Sequence, residues 1–113
     1  MKRVFVAMTT FDKRWHELGL TDEDLQELQE FLMKNPDAGD IIPGTGGAVK
    51  LRWKLPNAGK RGGVRVIYID VIKTDKIYFL TCYPKSKQDD LSSGEKSALK
   101  VIITQIIKDE RGL

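Results

Sequence analysis

Residues 49–55 read Val49-Lys50-Leu51-Arg52-Trp53-Lys54-Leu55. Apolar and cationic side chains alternate without a break, which is the period of a strand whose two faces meet different surroundings. Val49, Leu51, Trp53 and Leu55 fall on one face, and Lys50, Arg52 and Lys54 on the other. The first set has to be buried, and the second has to meet solvent or an anion. Successive cations on such a face stand about 7 Å apart, which suits a surface that tracks the phosphates of a single nucleic-acid strand.

Moving outward, Pro56 to Gly63 reads as a Gly-rich loop that contains Gly59-Lys60-Arg61-Gly62-Gly63. Val64–Ile72 and Ile77–Tyr83 are long apolar runs rich in β-branched and aromatic residues, joined by a polar turn around Lys73–Asp75, and they predict a central hairpin. Upstream, Asp37 to Gly47 reads as loop. It is preceded by a helix from about Thr21 to Lys34, in which Thr21 and Asp24 form a capping box, Leu20 and Leu25 sit at staple spacing, and Asn35-Pro36 is the stop. Its apolar stripe is Leu25, Leu28, Phe31 and Leu32. A shorter helix is expected from about Phe11 to Leu18, and an edge strand over 3–8. At the other end, Ser92 and Glu95 make a second capping box, opening a helix with the stripe Leu99, Ile102, Ile103, Ile106 and Ile107. The order β-α-α-β-β-β-α predicts an α+β fold, an antiparallel sheet with helices packed on one face and the cations on the other.

At 113 residues the chain is expected to be one domain, 1–113. Hydrophobic residues make up 41% and charged ones 31%, and no apolar run approaches the roughly 20 residues of a membrane span. The apolar run after Lys2-Arg3 is too short for a signal sequence, so a cytoplasmic location is expected, with no membrane partner. The net charge of +3 is unevenly placed. Between Gly44 and Lys87 ten bases stand against two acids, a balance of +8, whereas the remainder has nine bases and fourteen acids, a balance of −5. Such segregation points to one anion-binding face.

The chemistry open to that face is RNA binding or cleavage. RNA carries its own nucleophile, the 2′-hydroxyl, so a ribonuclease supplies a base, charge for the pentavalent phosphate, and an acid for the leaving oxygen. Arg65 follows the Gly-rich loop and Lys85 and Lys87 follow the last strand, so these can join Lys50, Arg52, Lys54, Lys60 and Arg61, with Tyr83 at the same edge. Cys82, the one cysteine, lies in an apolar run and reads as a buried inert thiol. His16 reads as structural or solvent-facing. Asp89-Asp90 precede a helix and fit its N-terminal dipole better than a metal. The Gly-rich loops match neither the GxxxxGK[ST] pattern nor a dinucleotide fingerprint, so no metal and no cofactor are expected.

Taken in order, Asn35-Pro36, Gly39-Asp40-Ile41-Ile42, Gly44-Thr45-Gly46-Gly47, Lys50-Leu51-Arg52, Gly59 to Tyr68, and Tyr83-Pro84-Lys85 followed by Asp90-Leu91-Ser92 resemble the RelE/HigB superfamily of bacterial toxins, in particular its HigB-like branch. The resemblance implies a ribosome-dependent mRNA endonuclease, an mRNA interferase that inhibits translation. Its partners would be mRNA in the ribosomal A site, ribosomal RNA, and a cognate antitoxin with a helix-turn-helix DNA-binding domain. It further implies that Lys50, Arg52, Arg65, Tyr83 and Lys85 form the catalytic set, and that Lys54, Lys60, Arg61 and Lys87 bind RNA. Pro84 stands where the family often has glycine, and Ser86 where some members place a catalytic arginine, so Tyr83, Lys85 and Lys87 are all candidates for the general acid. A non-catalytic RNA-, ribosome- or antitoxin-binding homologue is the alternative expectation.

Overall fold

The computed structural model of the chain describes residues 2–54, 63–85 and 90–110. Along the chain come strand β1 (Val4–Ala7), helices α1 (Thr9–Glu17) and α2 (Asp22–Lys34), strands β2 (Asp40–Ile41), β3 (Val49–Trp53) and β4 (Val64–Val71), a 3-10 turn at Ile72–Thr74, strand β5 (Lys76–Pro84) and helix α3 (Ser93–Glu110). The strands form one sheet in the order β1-β5-β4-β3-β2. The expected α+β class and the order of the main elements hold.

Local chemistry explains the helices. The Thr21 hydroxyl accepts from the Asp24 N–H at 3.0 Å, and the Asp24 carboxylate accepts from the Thr21 N–H at 2.8 Å. Ser92 and Glu95 repeat the exchange at the start of α3, at 3.1 and 2.9 Å. Each box satisfies donors that the first helical turn leaves without an intrahelical partner. Leu20 and Leu25 then meet in the same core, as the staple spacing predicts.

Three features of the sheet correct the expectation. First, it is mixed: β1 pairs parallel to β5, with Val4 opposite Lys76 and Ala7 opposite Phe79. Phe5 stacks on Phe79 with centroids 5.6 Å apart, and Arg3 clasps Asp70 and Asp75, so the edge strand is held by side chains at both the apolar and polar ends. Second, the segment expected to be loop contains β2, whose two residues are too few for a periodicity to show. Gly39 lets this edge close on β3, because a Cβ there would lie 2.6 Å from the Lys50 carbonyl oxygen.

Third, helices cover both faces. Against α1 and α2 pack Val49, Leu51 and Trp53 of β3, Val64, Val66 and Tyr68 of β4, and Ile77, Phe79 and Cys82 of β5. Phe11, Trp15, Leu28 and Leu32, all fully buried, are the helical side of this core. On the opposite face Ile67, Ile69, Leu80 and Tyr83 pack against Leu99, Ile103 and Ile106 of α3. β4 is apolar on both faces, so the second face also needs a cover, and α3 supplies it. The expected stripe of α3 is narrowed, since Ile102 is 39% exposed and Val101 on the outer side 70%.

The register between β4 and β5 breaks once. Ile67 lies opposite Thr81 but Tyr68 lies opposite Phe79, so Leu80 is the extra residue of a bulge. A bulge reverses the in–out parity beyond it. Ile77 and Phe79 face α1, and strict alternation would send Tyr83 there as well. Instead Cys82 faces α1 and Tyr83 faces α3, on the side that carries Arg65.

Candidate nucleic-acid interface and active site

The cationic face predicted from residues 49–55 survives as a strip at one end of the sheet, because α3 covers the rest. Lys50 and Arg52 of β3 point to the α3 side, while their neighbours Val49, Leu51 and Trp53 pack on α2, where Phe31 and Trp53 sit 5.4 Å apart. Arg52 lies directly across from Arg65 of β4, and Arg65 directly across from Tyr83 of β5. Arg52, Arg65 and Tyr83 thus form one row across three strands, with neighbours about 5 Å apart at their Cα atoms. Lys50 is two residues back along β3 from Arg52 on the same face.

Each member meets a different environment. Arg52 is exposed and Arg65 half-buried. The Arg65 Nε is buried and has no hydrogen-bond partner among the described residues. Tyr83 is 5% exposed, and its hydroxyl oxygen is shielded from solvent. Lys85 follows directly on β5, where its backbone N–H reaches the Gly63 carbonyl at 3.4 Å. That contact pins Lys85 beside the start of β4, the arrangement the hairpin predicts. Gly63 is at φ +85°, with a Cβ position 2.2 Å from the Trp53 carbonyl oxygen, so the three strand ends converge only because this residue is glycine. Lys54 is exposed just past the end of β3. Lys60, Arg61 and Lys87 lie outside the described residues, as do Ser86 and Asp89.

Asp90 has a different role from the one expected. It approaches Lys50, Oδ1 to Nζ 3.6 Å, and accepts from the Leu91 N–H at 2.8 Å. That backbone hydrogen bond, followed by the Lys50 ammonium, holds its carboxyl below the usual range. The helix cap is Ser92, and Asp90 instead supplies a carboxylate beside a strand lysine forty residues away in sequence. Nothing in the local pattern of either residue announces this pair.

Cys82 and His16 behave as the sequence suggests. Burial pushes the Cys82 thiol up to about 12, so it is neither thiolate nor nucleophile at neutral pH. His16 is on the exposed side of α1, with Nδ1 2.9 Å from the Asp12 carbonyl and Nε2 3.4 Å from the Asp22 carboxylate, and these neighbours raise its pKa. Cys82 adjoins Tyr83 but faces α1, on the opposite side of the sheet from the arginine row.

Beside Tyr83 opens a cleft of about 420 Å³. β1 pairs only as far as Phe79, so the outer edge of β5 beyond it has no strand partner among the described residues, and the cleft lies there between the end of α1 and the first turn of α3. Arg14, Glu17 and Leu18 line it from α1, and Glu95 from α3. These α1 residues were not singled out in the sequence.

No helix among the described residues is long and apolar enough to cross a membrane. A family model described as the RelE toxin of the RelE/RelB toxin-antitoxin system matches residues 2–111. Among solved structures, the chain is similar to E. coli toxin RelE, an arginine-to-alanine double mutant in the free state, with a TM-score of 0.57 and 18% identity over 79% of this chain and 90% of that one. The structural likeness supports the fold, and the family match extends over nearly the whole sequence. The chain belongs to the RelE toxin family of toxin–antitoxin systems.

Proposed function

We propose that this chain is a metal-independent endoribonuclease that cuts messenger RNA in the ribosomal A site and so halts translation, with the HigB-like branch as its nearest functional type. The observation that carries the proposal is Arg65, whose buried Nε lacks a partner among the described residues while its neighbours across the sheet are Arg52 and Tyr83. A buried guanidinium N–H left unsatisfied costs free energy that an arriving phosphate oxygen returns as a charge-assisted hydrogen bond.

In the proposed reaction the 2′-oxygen attacks phosphorus, its proton passes to a base, the bond to the 5′-oxygen breaks, and that oxygen takes a proton from an acid. Arg52 and Arg65 stabilise the charge that builds on the phosphoryl oxygens. Lys50 stands on the same face at the next same-face position along β3, placed for proton transfer at the nucleophile. With the Tyr83 hydroxyl shielded, the acid role is assigned to Lys85, and Tyr83 contributes packing in the core on the α3 side. Among the described residues there is no group of three His, Cys, Asp or Glu side chains that suits a metal. The proposed partners are A-site mRNA, ribosomal RNA and an antitoxin with a helix-turn-helix domain, in the cytoplasm.

Primer extension on messages loaded on ribosomes tests this directly. Cleavage within A-site codons by the wild type and none by Arg65→Ala is the expected result. Equal cleavage of naked RNA contradicts ribosome dependence, and robust growth of cells expressing the intact protein sinks the toxin assignment.

A further inference from the structure

Cleavage by the route above needs an acceptor for the 2′-hydroxyl proton, and a lysine alone is a poor one. A lysine side chain is an ammonium at neutral pH, with three donors and no lone pair. It takes a proton only if it gives one up in the same event. Asp90 offers that second proton a place to go, with Oδ1 3.6 Å from the Lys50 Nζ. An ion pair of this length shortens to a hydrogen bond with a small movement of the lysine stem, as catalytic contacts do when substrate arrives.

The surroundings of Asp90 suit the end of such a path. Its Oδ1 accepts from the Leu91 N–H at 2.8 Å, which anchors the carboxylate while the lysine moves. That backbone hydrogen bond, followed by the ammonium groups of Lys50 on β3 and Lys96 on α3, holds its carboxyl below the usual range, so the acceptor is empty at neutral pH. Its side chain is 55% exposed against 27% for Lys50, so a proton delivered to Asp90 passes on to water. A second carboxylate, Asp40 on β2, lies directly across from Lys50, but the Lys50 ammonium pairs with Asp90.

We infer that Lys50 and Asp90 form a coupled proton relay for the nucleophile. As the 2′-oxygen attacks phosphorus, its O–H bond breaks to the Lys50 nitrogen, and one of that nitrogen's own N–H bonds breaks to the Asp90 carboxylate. The pair ends as an ammonium beside a carboxylic acid, which water then deprotonates. The inference rests on the RNA-cleaving reading, and it names the group on which the nucleophile's proton comes to rest.

The test is the single-turnover rate of cleavage of ribosome-bound message from about pH 6 to 8.5. Asp90 is ionised and a lysine serving as acid is protonated throughout this window, so the wild-type rate is expected to be flat. Asp90→Asn keeps an oxygen for the Leu91 N–H. Its rate at pH 7 is expected to fall at least about 10²-fold, the worth of a positioned proton acceptor. It is also expected to rise about tenfold per pH unit, because hydroxide or a neutral amine then has to take the proton. Asp90→Glu is expected to restore the flat profile with part of the rate. Binding of ribosomes carrying a message with a 2′-deoxy scissile nucleotide is expected to be unchanged in Asp90→Asn, which separates a lost relay from a lost fold. Loss of that binding overturns the inference, as does an Asp90→Asn profile that stays flat, whether its rate is unchanged or lowered at every pH alike. A slope that appears in Asp40→Asn and not in Asp90→Asn overturns it too, since the proton then goes to β2. A wild type that cleaves with a rate rising tenfold per pH unit refutes the relay alone, whereas a wild type that cleaves nothing at any pH refutes the RNA-cleaving reading and the relay with it.

Discussion

Replacing Gly63 with alanine tests whether the site depends on the close meeting of three strand ends. Two costs add at this position. A side chain at φ +85° carries the left-handed penalty of roughly 1–2 kcal/mol. In addition, the new Cβ would sit 2.2 Å from the Trp53 carbonyl oxygen, so the β3–β4 ladder has to open by about an ångström at the Trp53–Val64 pair. That opening weakens the Lys85-to-Gly63 hydrogen bond, worth about 1 kcal/mol, and loosens Val64, which is 1% exposed in the native protein. The total is about 3 kcal/mol. With an unfolding entropy of about 2.1 cal/mol/K per residue, the chain loses about 13 °C in Tm. Gly44→Ala is the matched control: its φ is +81° but its Cβ position is open, so only the backbone penalty applies and the loss is about 4–8 °C. Differential scanning calorimetry of the two variants decides the matter. Equal losses, or a loss at Gly63 under about 4 °C, refute the argument that β3, β4 and the start of the Lys85 segment are crowded together there.

Arg65→Ala is expected to reduce cleavage of ribosome-bound message by about 10²–10³ while leaving the circular dichroism spectrum intact, the scale seen when one preorganised donor is lost; undiminished cleavage removes Arg65 from the site. Glu110 accepts from Thr74, Tyr78 and Lys76, which hold its carboxyl down at about 2 against the usual 4.5. Its contribution to stability is therefore complete above pH 4.5 and fades as pH falls toward 2, so urea midpoints of the wild type should drop across that window and those of Glu110→Gln should drop less. Parallel curves would show that the end of α3 is not held this way. Cys82 should resist iodoacetamide at pH 8 in the native protein and react once urea exposes it, because its thiol is buried with a pKa near 12; rapid native labelling contradicts that burial. Leu28→Ala should cost 2–5 kcal/mol by chemical denaturation, and a cost below about 1 kcal/mol would mean that α2 does not pack on the sheet as described.

Much of this fold is legible because its determinants are local. Thr21 with Asp24 and Ser92 with Glu95 are three residues apart, and each box forms from the side chains that announce it. The alternation of residues 49–53 likewise sorts its own two faces before any partner is known, which is why Lys50 and Arg52 were found as a cationic edge. The cover on the second face also has a signal in the sequence. An unbroken apolar run such as Val66 to Ile69 belongs to a strand buried on both faces, and α3, with its own apolar stripe, is the cover available. The two-residue β2 and the Lys50–Asp90 contact leave no such trace, the first for lack of length and the second because its members are forty residues apart.

By itself the sequence determined the helices, the hairpin and the cationic strand, since capping, periodicity and alternation act among residues a few positions apart. Only the tertiary structure decided that Tyr83 stands beside Arg65, because the bulge at Leu80 reverses the parity of β5, and a bulge exists only in the pairing of two strands. It also decided that a cleft opens at the end of that row, because β1 stops at Phe79 and leaves the edge of β5 uncovered. Local forces chose which residues face in or out along each strand, and the long-range register of the sheet chose which of them meet.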